Sequence, residues 1–389
     1  MYDIIVVGSR CAGAPTAMLF ACAGYRVLML DRAKFPRDTL STLYIHQPGI
    51  ALLHRWGLLD ALVASGCPPI TSALHQVNDV RLQGCSQPVN GIHAAYAPRR
   101  YVLDQILIDA AVAAGVDFRP ECAVEDVLFD DEGRAVGVRC KGFDAHARLV
   151  VGADGMRSRV ASAVDARVEV EHPRLTCVYY SFWENVPAGF EAYGARGRWA
   201  GCAPTHDGLT LVGAYFPQSE YPRVRVDAPA AYLENLRAVA PDLHARVMDG
   251  AQAERLYGTG AQRNFFRKAT GAGWVLVGDA GHHKDSILAN GITDAFRQAQ
   301  LLVDCVGSAL PDEPALRSAL RRFADERARL FTGVYQDTLS VAKLNPGRRL
   351  SALRAIAADP VQVERFFTTM AGATRDDGLL ATSLVPVAG

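Results

Sequence analysis

The 389-residue sequence predicts an α/β fold in two domains, a parallel-sheet domain carrying an inserted antiparallel sheet, with C-terminal helices after them. Three observations predict it. Within the first 31 residues a β-branched run, a glycine loop, a small-residue helix and a second strand ending in an acid follow one another. From 168 to 270 aromatic, alternating segments replace that buried style, and at 273–278 the buried style returns, so the chain re-enters its first domain. The opening unit is a βαβ of the Rossmann-like kind.

Residues 3–7 (DIIVV) form a continuous apolar run, as a central parallel strand does when both faces are covered. Gly8-Ser9-Arg10-Cys11-Ala12-Gly13 makes the turn, and 14–23 make a helix with Pro15 near its start, where a missing N–H costs little. Gly24 ends that helix, and the strand 25–30 finishes on Asp31. Residues 35–48 are polar and turn-rich. Ile50, Leu53, Trp56, Leu59 and Leu62 give 49–64 helical spacing, and 71–96 reads as strands and turns. A helix over 103–114 is closed by Gly115, and 124–128 with 135–140 bracket the turn Asp130-Asp131-Glu132-Gly133 as a hairpin. The strand 149–153 stops at Asp154-Gly155. Alternation in 176–183, 198–203 and 209–216 suits an antiparallel sheet with one covered face, and 228–239 is a helix lying on it. Beyond the strand 273–278, the segments 293–306, 315–336 and 361–370 are helical in pattern and expected to be mostly solvent-facing. The expected domains are 1–75, 99–167 and 271–310 for the nucleotide-binding part, 76–98 and 168–270 for the inserted sheet, and 311–389 for the C-terminal helical region.

Composition narrows the function classes. Forty-one basic residues balance 41 acidic ones, which gives no electrostatic reason to expect nucleic acid or an anionic membrane as partner. Nine cysteines, odd in number and without CxxC spacing, suit reduced thiols, and no zinc-type cluster is present in the sequence. The apolar opening is short and runs straight into the glycine loop, and no other segment approaches a spanning length, so a cytoplasmic protein without stable membrane insertion is expected.

Three loops carry chemistry. In the first, a parallel strand delivers the backbone to a helix N-terminus, where unpaired N–H groups and the helix dipole favour a pyrophosphate. Gly8 permits the sharp turn and Gly13 the close packing of helix on strand, while Arg10 stands at the middle glycine position of GxGxxG. Asp31, 23 residues beyond Gly8, is placed to accept from a ribose. The second loop, after the strand 149–153, contains Asp154 and Gly155. In the third, GDAGHHKDSILANGI ends a strand at Gly278-Asp279 and reaches Gly291-Ile292 at the start of a helix. A carboxylate at such a strand end can hold a polyol hydroxyl, and N–H groups of the later helix can stabilise negative charge on a reduced ring. Both are requirements of a flavin.

Together the three loops resemble those of the FAD-dependent aromatic hydroxylase superfamily, the single-component flavoprotein monooxygenases typified by para-hydroxybenzoate hydroxylase, in order from residue 1 to about 310. The resemblance implies a glutathione reductase-type FAD-binding domain and an inserted substrate-binding sheet. It implies FAD contacts or supports at Gly8, Arg10, Cys11, Ala12, Gly13, Asp31, Arg32, Val124, Asp154, Gly155, Asp279, Gly291 and Ile292. Arg100, in RYVLD before a helix, matches the family's arginine that reaches the cofactor. The sequence departs at Arg10, at Ser286 where the family has proline, and at Ala289 where it has the first glycine of GxG.

The implied activity is an FAD-dependent monooxygenase that takes hydride from NADH or NADPH and uses molecular oxygen, through a flavin C4a-hydroperoxide, to hydroxylate or oxygenate a small aromatic or polycyclic molecule. Such chemistry asks the protein for a dry cavity, orientation and sometimes a base. His282, His283 and Asp285, with Lys284, lie just before the flavin-facing turn, and His46 lies after the second strand; these are the catalytic candidates, against a purely structural role for each. Tyr179, Phe182, Trp183, Trp199, Tyr215 and Phe216 are candidates for an aromatic pocket floor or for plain sheet core, since one face of each strand at most can reach a cavity. The rivals are a reductase of a substrate double bond, as geranylgeranyl reductases are, a flavin halogenase, whose WxWxIP-type segment is absent, and a flavin-binding component without turnover.

Overall fold

A computed structural model describes residues 1–373, so the part of the expected 311–389 region beyond 373 lies outside the described residues. The central sheet has six strands in the order Thr270–Gly271, Trp274–Leu276, Leu149–Gly152, Ile4–Val7, Val27–Leu30 and Asp117–Arg119, all parallel except the first. Ile4–Val7 is buried at every position, as its unbroken apolar run requires. On one face pack the helices Gly13–Cys22, Arg100–Ala113 and Gly291–Val306, through Ile4, Val6, Phe20, Leu107 and Phe296. On the other lies a meander of Val124–Phe129, Ala135–Cys140 and Phe143–His146, through Val127, Val138 and Ala145. The segment 49–64 forms two helices, Gln47–Arg55 and Leu59–Ala64, because Gly57 takes a φ of +74° between them.

The second sheet has eight strands. Thr176–Glu184 pairs antiparallel with Thr210–Pro217, which leads through Arg198–Pro204 and Phe190–Ala195 to Ala73–Val77 and Val80–Gly84. Phe190–Ala195 and Ala73–Val77 run parallel, so this sheet takes in both strands of the early hairpin. The helices Ala228–Val239 and Pro241–Asp249 cover one face through Tyr232, Leu236 and Leu243. The other face looks toward the first domain.

The later helices are less exposed than their charge suggests. Gly291–Val306 buries Phe296, Ala299 and Leu302 against the central sheet's helices, and Glu313–Ala342 buries Phe323, Phe331 and Tyr335. Their charged faces are real, but the 30-residue helix crosses from the first domain to the seam beside the second, and its apolar stripe is used along that path. Among the described residues, no helix is long and apolar enough to cross a membrane.

Candidate functional site

Where the ends of the parallel strands meet the uncovered face of the antiparallel sheet, a cleft of about 1340 Å³ opens. Pockets for one drug-sized ligand run to roughly 300–1,000 Å³, so this one has room for a dinucleotide and part of a second molecule.

The first loop has no room for a side chain at either of its end residues. Gly8 has a φ of +100°, and a Cβ there would stand 2.4 Å from the Ala153 carbonyl oxygen. A Cβ on Gly13 would fall 1.7 Å from the Gly8 oxygen. Arg10 fits the middle position by turning aside: its guanidinium donates to Asp104 at 2.5 Å and lies 5.1 Å over the Phe35 ring. Asp104 is fully buried and also accepts from Arg100 Nη2 at 2.9 Å and Nε at 3.1 Å, and from the Cys11 thiol at 3.5 Å. Burial opposes the Arg100 charge, and Asp104 outweighs it, holding the guanidinium protonated well above its ordinary range; burial pushes the Cys11 thiol up to about 12. Arg10, Cys11, Ala12 and Arg100 all line the cleft, and Gly13 sits beneath them.

The acids of the first domain hold their own loops while facing the cleft. Asp31 accepts from Ser9 N and Oγ at 2.9 and 3.1 Å and from Ala33 N at 2.8 Å, tying the second strand's end to the glycine loop. Asp154 accepts from Ser158 Oγ at 2.5 Å and from the N–H groups of Arg159 and Val160, at the start of the helix Arg159–Ala163. Burial raises its carboxyl above the usual range. Gly155, Arg32 and Val124 line the same end of the cleft.

The third loop meets the first at Gly278, where a Cβ would stand 2.7 Å from that of Ala12. Asp279 presents an exposed carboxylate there. At the loop's far end the helix Gly291–Val306 begins; Asn290 makes no side-chain cap bond, and a Cβ at Gly291 would meet nothing within 4 Å. Gly291 and Ile292 line the cleft. Two glycines that leave room for backbone approach, a strand-end carboxylate that can accept and an uncapped N-terminus that can donate fit the groups of an FAD molecule.

The four catalytic candidates occupy different surroundings. His282, His283 and Asp285 line the cleft, and His46 does not. His46 is buried behind the third loop, its Nε2 at 3.1 Å from the Leu288 carbonyl, and burial pushes it down to about 4, so the neutral ring donates there. His282 is buried with its ring stacked on Phe266 at 4.2 Å, and neither ring nitrogen has a hydrogen-bond partner. Burial, with the charges of Lys284 and Arg327, keeps it well below the usual histidine range. His283 bonds the Arg263 carbonyl through Nδ1. Asp285 accepts from Thr176 Oγ1 at 2.7 Å and Ile287 N at 3.2 Å, and burial pushes it up to about 6.

Sequence reasoning missed the network around Asp285. Gln262 Oε1 takes Ser286 N and Oγ at 3.0 and 2.5 Å, its Nε2 donates to Thr176 Oγ1 at 2.8 Å, and Ser286 Oγ lies 3.0 Å from Tyr215 Oη. Ser286 thereby anchors the loop to the second sheet. No local signal marks such partners, which stand 24, 71 and 86 residues apart. Asp104 was readable, four residues after Arg100 in RYVLD.

The second sheet shows the cleft one face only. Along Thr176–Glu184, Val178, Tyr180 and Phe182 line the cleft, whereas Cys177, Tyr179 and Trp183 pack under the covering helices. Of the six candidate aromatics only Phe182 lines the cleft; Tyr179, Trp183 and Phe216 are core under the helices, and Trp199 and Tyr215 pack on Val341 and Leu344. Tyr180 and Tyr257, stacked at 5.6 Å, join Phe182 instead. Arg99, held by Asp38 and Glu254 at 2.7 Å each, lies 3.9 Å over the Phe182 ring and braces this corner.

A family model described as an FAD binding domain matches residues 1–338. The chain is 25% identical to digeranylgeranylglycerophospholipid reductase 1 of Methanopyrus kandleri over 89% of this chain and 91% of that protein. In fold it is similar to the myxobacterial chondrochloren halogenase CndH, with a TM-score of 0.79 and 24% identity over 99% of this chain and 98% of that one. It is also similar to PqsL, a probable FAD-dependent monooxygenase from Pseudomonas aeruginosa, with a TM-score of 0.79 and 20% identity over 91% and 99% of the two chains.

Proposed function

The chain belongs to the FAD-binding-domain family of FAD-dependent oxidoreductases, and from that premise we propose that it is a monooxygenase, taking hydride from NADH or NADPH and oxygenating a small aromatic or polycyclic substrate with molecular oxygen. One observation carries the choice: the sheet face turned to the cleft presents Tyr180, Phe182 and Tyr257 with Thr259 and Gln262, an aromatic wall, with Tyr180 stacked on Tyr257 and edge-on to Phe182, bordered by hydrogen-bonding groups. Such a wall suits a planar ring with polar substituents. In the related P. aeruginosa fold, PqsL is in complex with 2-aminobenzoylacetate, a small aromatic molecule.

Bound FAD would supply the redox chemistry, accepting hydride and activating oxygen. The chain's own residues bind and orient. Gly8 and Gly13 would let backbone N–H groups approach a pyrophosphate, Asp31 would hold the ribose, Asp279 the ribityl or pyrophosphate portion, and the N–H groups of Gly291 and Ile292 would stabilise negative charge on the ring. Asp154, Gly155, Arg32, Val124, Arg10, Cys11, Ala12 and Arg100 wall the same channel. His46 and Asp285 fix the third loop through Leu288 and Ile287, which makes them positioning residues; His282, with two unbonded ring nitrogens, and His283 are the remaining candidates to hold or move a proton.

The likeness to the M. kandleri reductase favours a second reading, reduction of a substrate double bond in the same cleft. The two separate on oxygen. NAD(P)H oxidation with a panel of phenols, anilines and alkenes should require air and yield an oxygenated product; reduction of an alkene under strict anaerobiosis rejects the monooxygenase and supports the reductase, and air-dependent NAD(P)H loss without any product rejects both.

A further inference from the structure

Lys284 and Asp294 form an ion pair whose side chains are 5% and 6% exposed, and both residues line the cleft. Lys284 follows the short strand His282–His283, and Asp294 stands in the first turn of the helix Gly291–Val306. A carboxylate in a first turn suits the helix, yet it also cancels part of the positive field that the N-terminus sends outward. Here that field points into the cleft, from Gly291 and Ile292. The neighbouring titratable rings do not restore it: His46 and His282 are uncharged at neutral pH, and the Asp285 carboxyl is bonded away from the pair to Thr176. Stability does not account for the pair either, since removing two charges from water costs about what their attraction returns.

We propose that Lys284 is a positioning residue that neutralises Asp294, so that the N-terminus of Gly291–Val306 keeps its positive field toward bound FAD and stabilises the reduced, more negative form. The inference rests on the FAD reading above. It concerns neither substrate nor oxygen, and holds for a monooxygenase and a reductase alike.

The test is the midpoint potential of bound FAD in wild type, Lys284→Met, Asp294→Asn and the double variant, by dye equilibration, with thermal unfolding alongside. Lys284→Met should weaken the affinity for reduced relative to oxidised FAD about tenfold, a fall of about 30 mV for a two-electron couple. Asp294→Asn should move the potential the other way, and the double variant should return to within about threefold of wild type, about 15 mV. A merely structural pair would alter unfolding and leave the potential alone. Potentials unchanged in all three variants with FAD bound, or shifts of the same sign in both single variants, overturn the proposal. Should Lys284→Met not fold, an Asp294→Asn potential at or below wild type overturns it instead. A wild-type chain that takes up no FAD, seen in its visible spectrum, overturns the FAD reading and the inference with it.

Discussion

The two loops that meet at Ala12 and Gly278 are built on opposite principles. The loop Gly8 to Gly13 keeps its shape by what it lacks, since a Cβ at either end would strike backbone at 2.4 or 1.7 Å. The loop from Gly278 to Gly291 keeps its shape by what it carries: Asp285 and Ser286 are tied to Thr176, Gln262 and Tyr215 of the other domain, Ile287 N–H to Asp285 within the loop, and Leu288 to His46. A steric loop tolerates no added atom at its two glycines, because backbone stands against them. A hydrogen-bonded loop tolerates local change but depends on a sheet far away in sequence.

Gly8→Ala should therefore break the comparison hardest. It places a methyl against Ala153 at a φ of +100°, and the combined backbone and packing cost is about 3 kcal/mol. The variant should unfold at a lower temperature and lose FAD on gel filtration. A yellow protein with wild-type unfolding would show that the loop is not sterically set.

This division explains what was legible in the sequence. The Gly8, Asp31 and Asp154 loops depend on spacing within a few residues of a strand end, and spacing is what a sequence displays. Asp104 was half-visible through its i,i+4 relation to Arg100, but its second partner, Arg10, is 94 residues away. The choice of aromatics failed for a different reason. Tyr179 and Trp183 alternate with Tyr180 and Phe182 along one strand, and the sequence shows the period of two without saying which phase the helices Ala228–Val239 and Pro241–Asp249 cover. The helices' positions decide the phase, and they are a tertiary fact.

The hydrogen-bonded loop should reveal itself through pH. Asp285 has a folded-state pKa of about 6 against an ordinary 3.8, because burial penalises its charge. Between those values the native state binds more protons than the unfolded chain, so this group's stabilisation is complete below about pH 4 and is lost as pH rises through 6. Across that window the contribution is about 3 kcal/mol. Denaturant unfolding of wild type and Asp285→Asn should give a stability difference that shifts in favour of wild type by about 2 kcal/mol on going from pH 7 to pH 4, most of that contribution. A pH-independent difference would mean that the carboxyl is not buried in the fold.

The two phases of the Thr176–Glu184 strand sharpen the comparison with a smaller effect. Tyr180→Leu should raise the KM of an accepted substrate about tenfold, about 1.4 kcal/mol, alongside the stability lost with its packing on Phe182 and Tyr257. Tyr179→Leu should lower stability by about 2 kcal/mol at unchanged KM, because its ring fills the core against Phe216 and Gly258 and does not reach the cleft. Equal effects of both on KM would mean that the sheet does not floor the site.

The smallest effect comes from running the first exchange backwards. Ala289 adopts a left-handed φ of 53° at the position where the resembling hydroxylases have glycine. Removing its methyl relieves about 1 kcal/mol of backbone strain. Against that stand about 0.8 kcal/mol of lost burial, since Ala289 is 8% exposed beside Leu43 and Tyr180, and about 0.5 kcal/mol of added freedom in the unfolded chain. Ala289→Gly should thus lie within about 0.5 kcal/mol of wild type in denaturant unfolding. One methyl added at Gly8 and one removed at Ala289 are mirror changes on facing loops; a gain at Ala289 much above that limit would mean that its loop, like the first, is set by backbone strain and not by its bonds to the other domain.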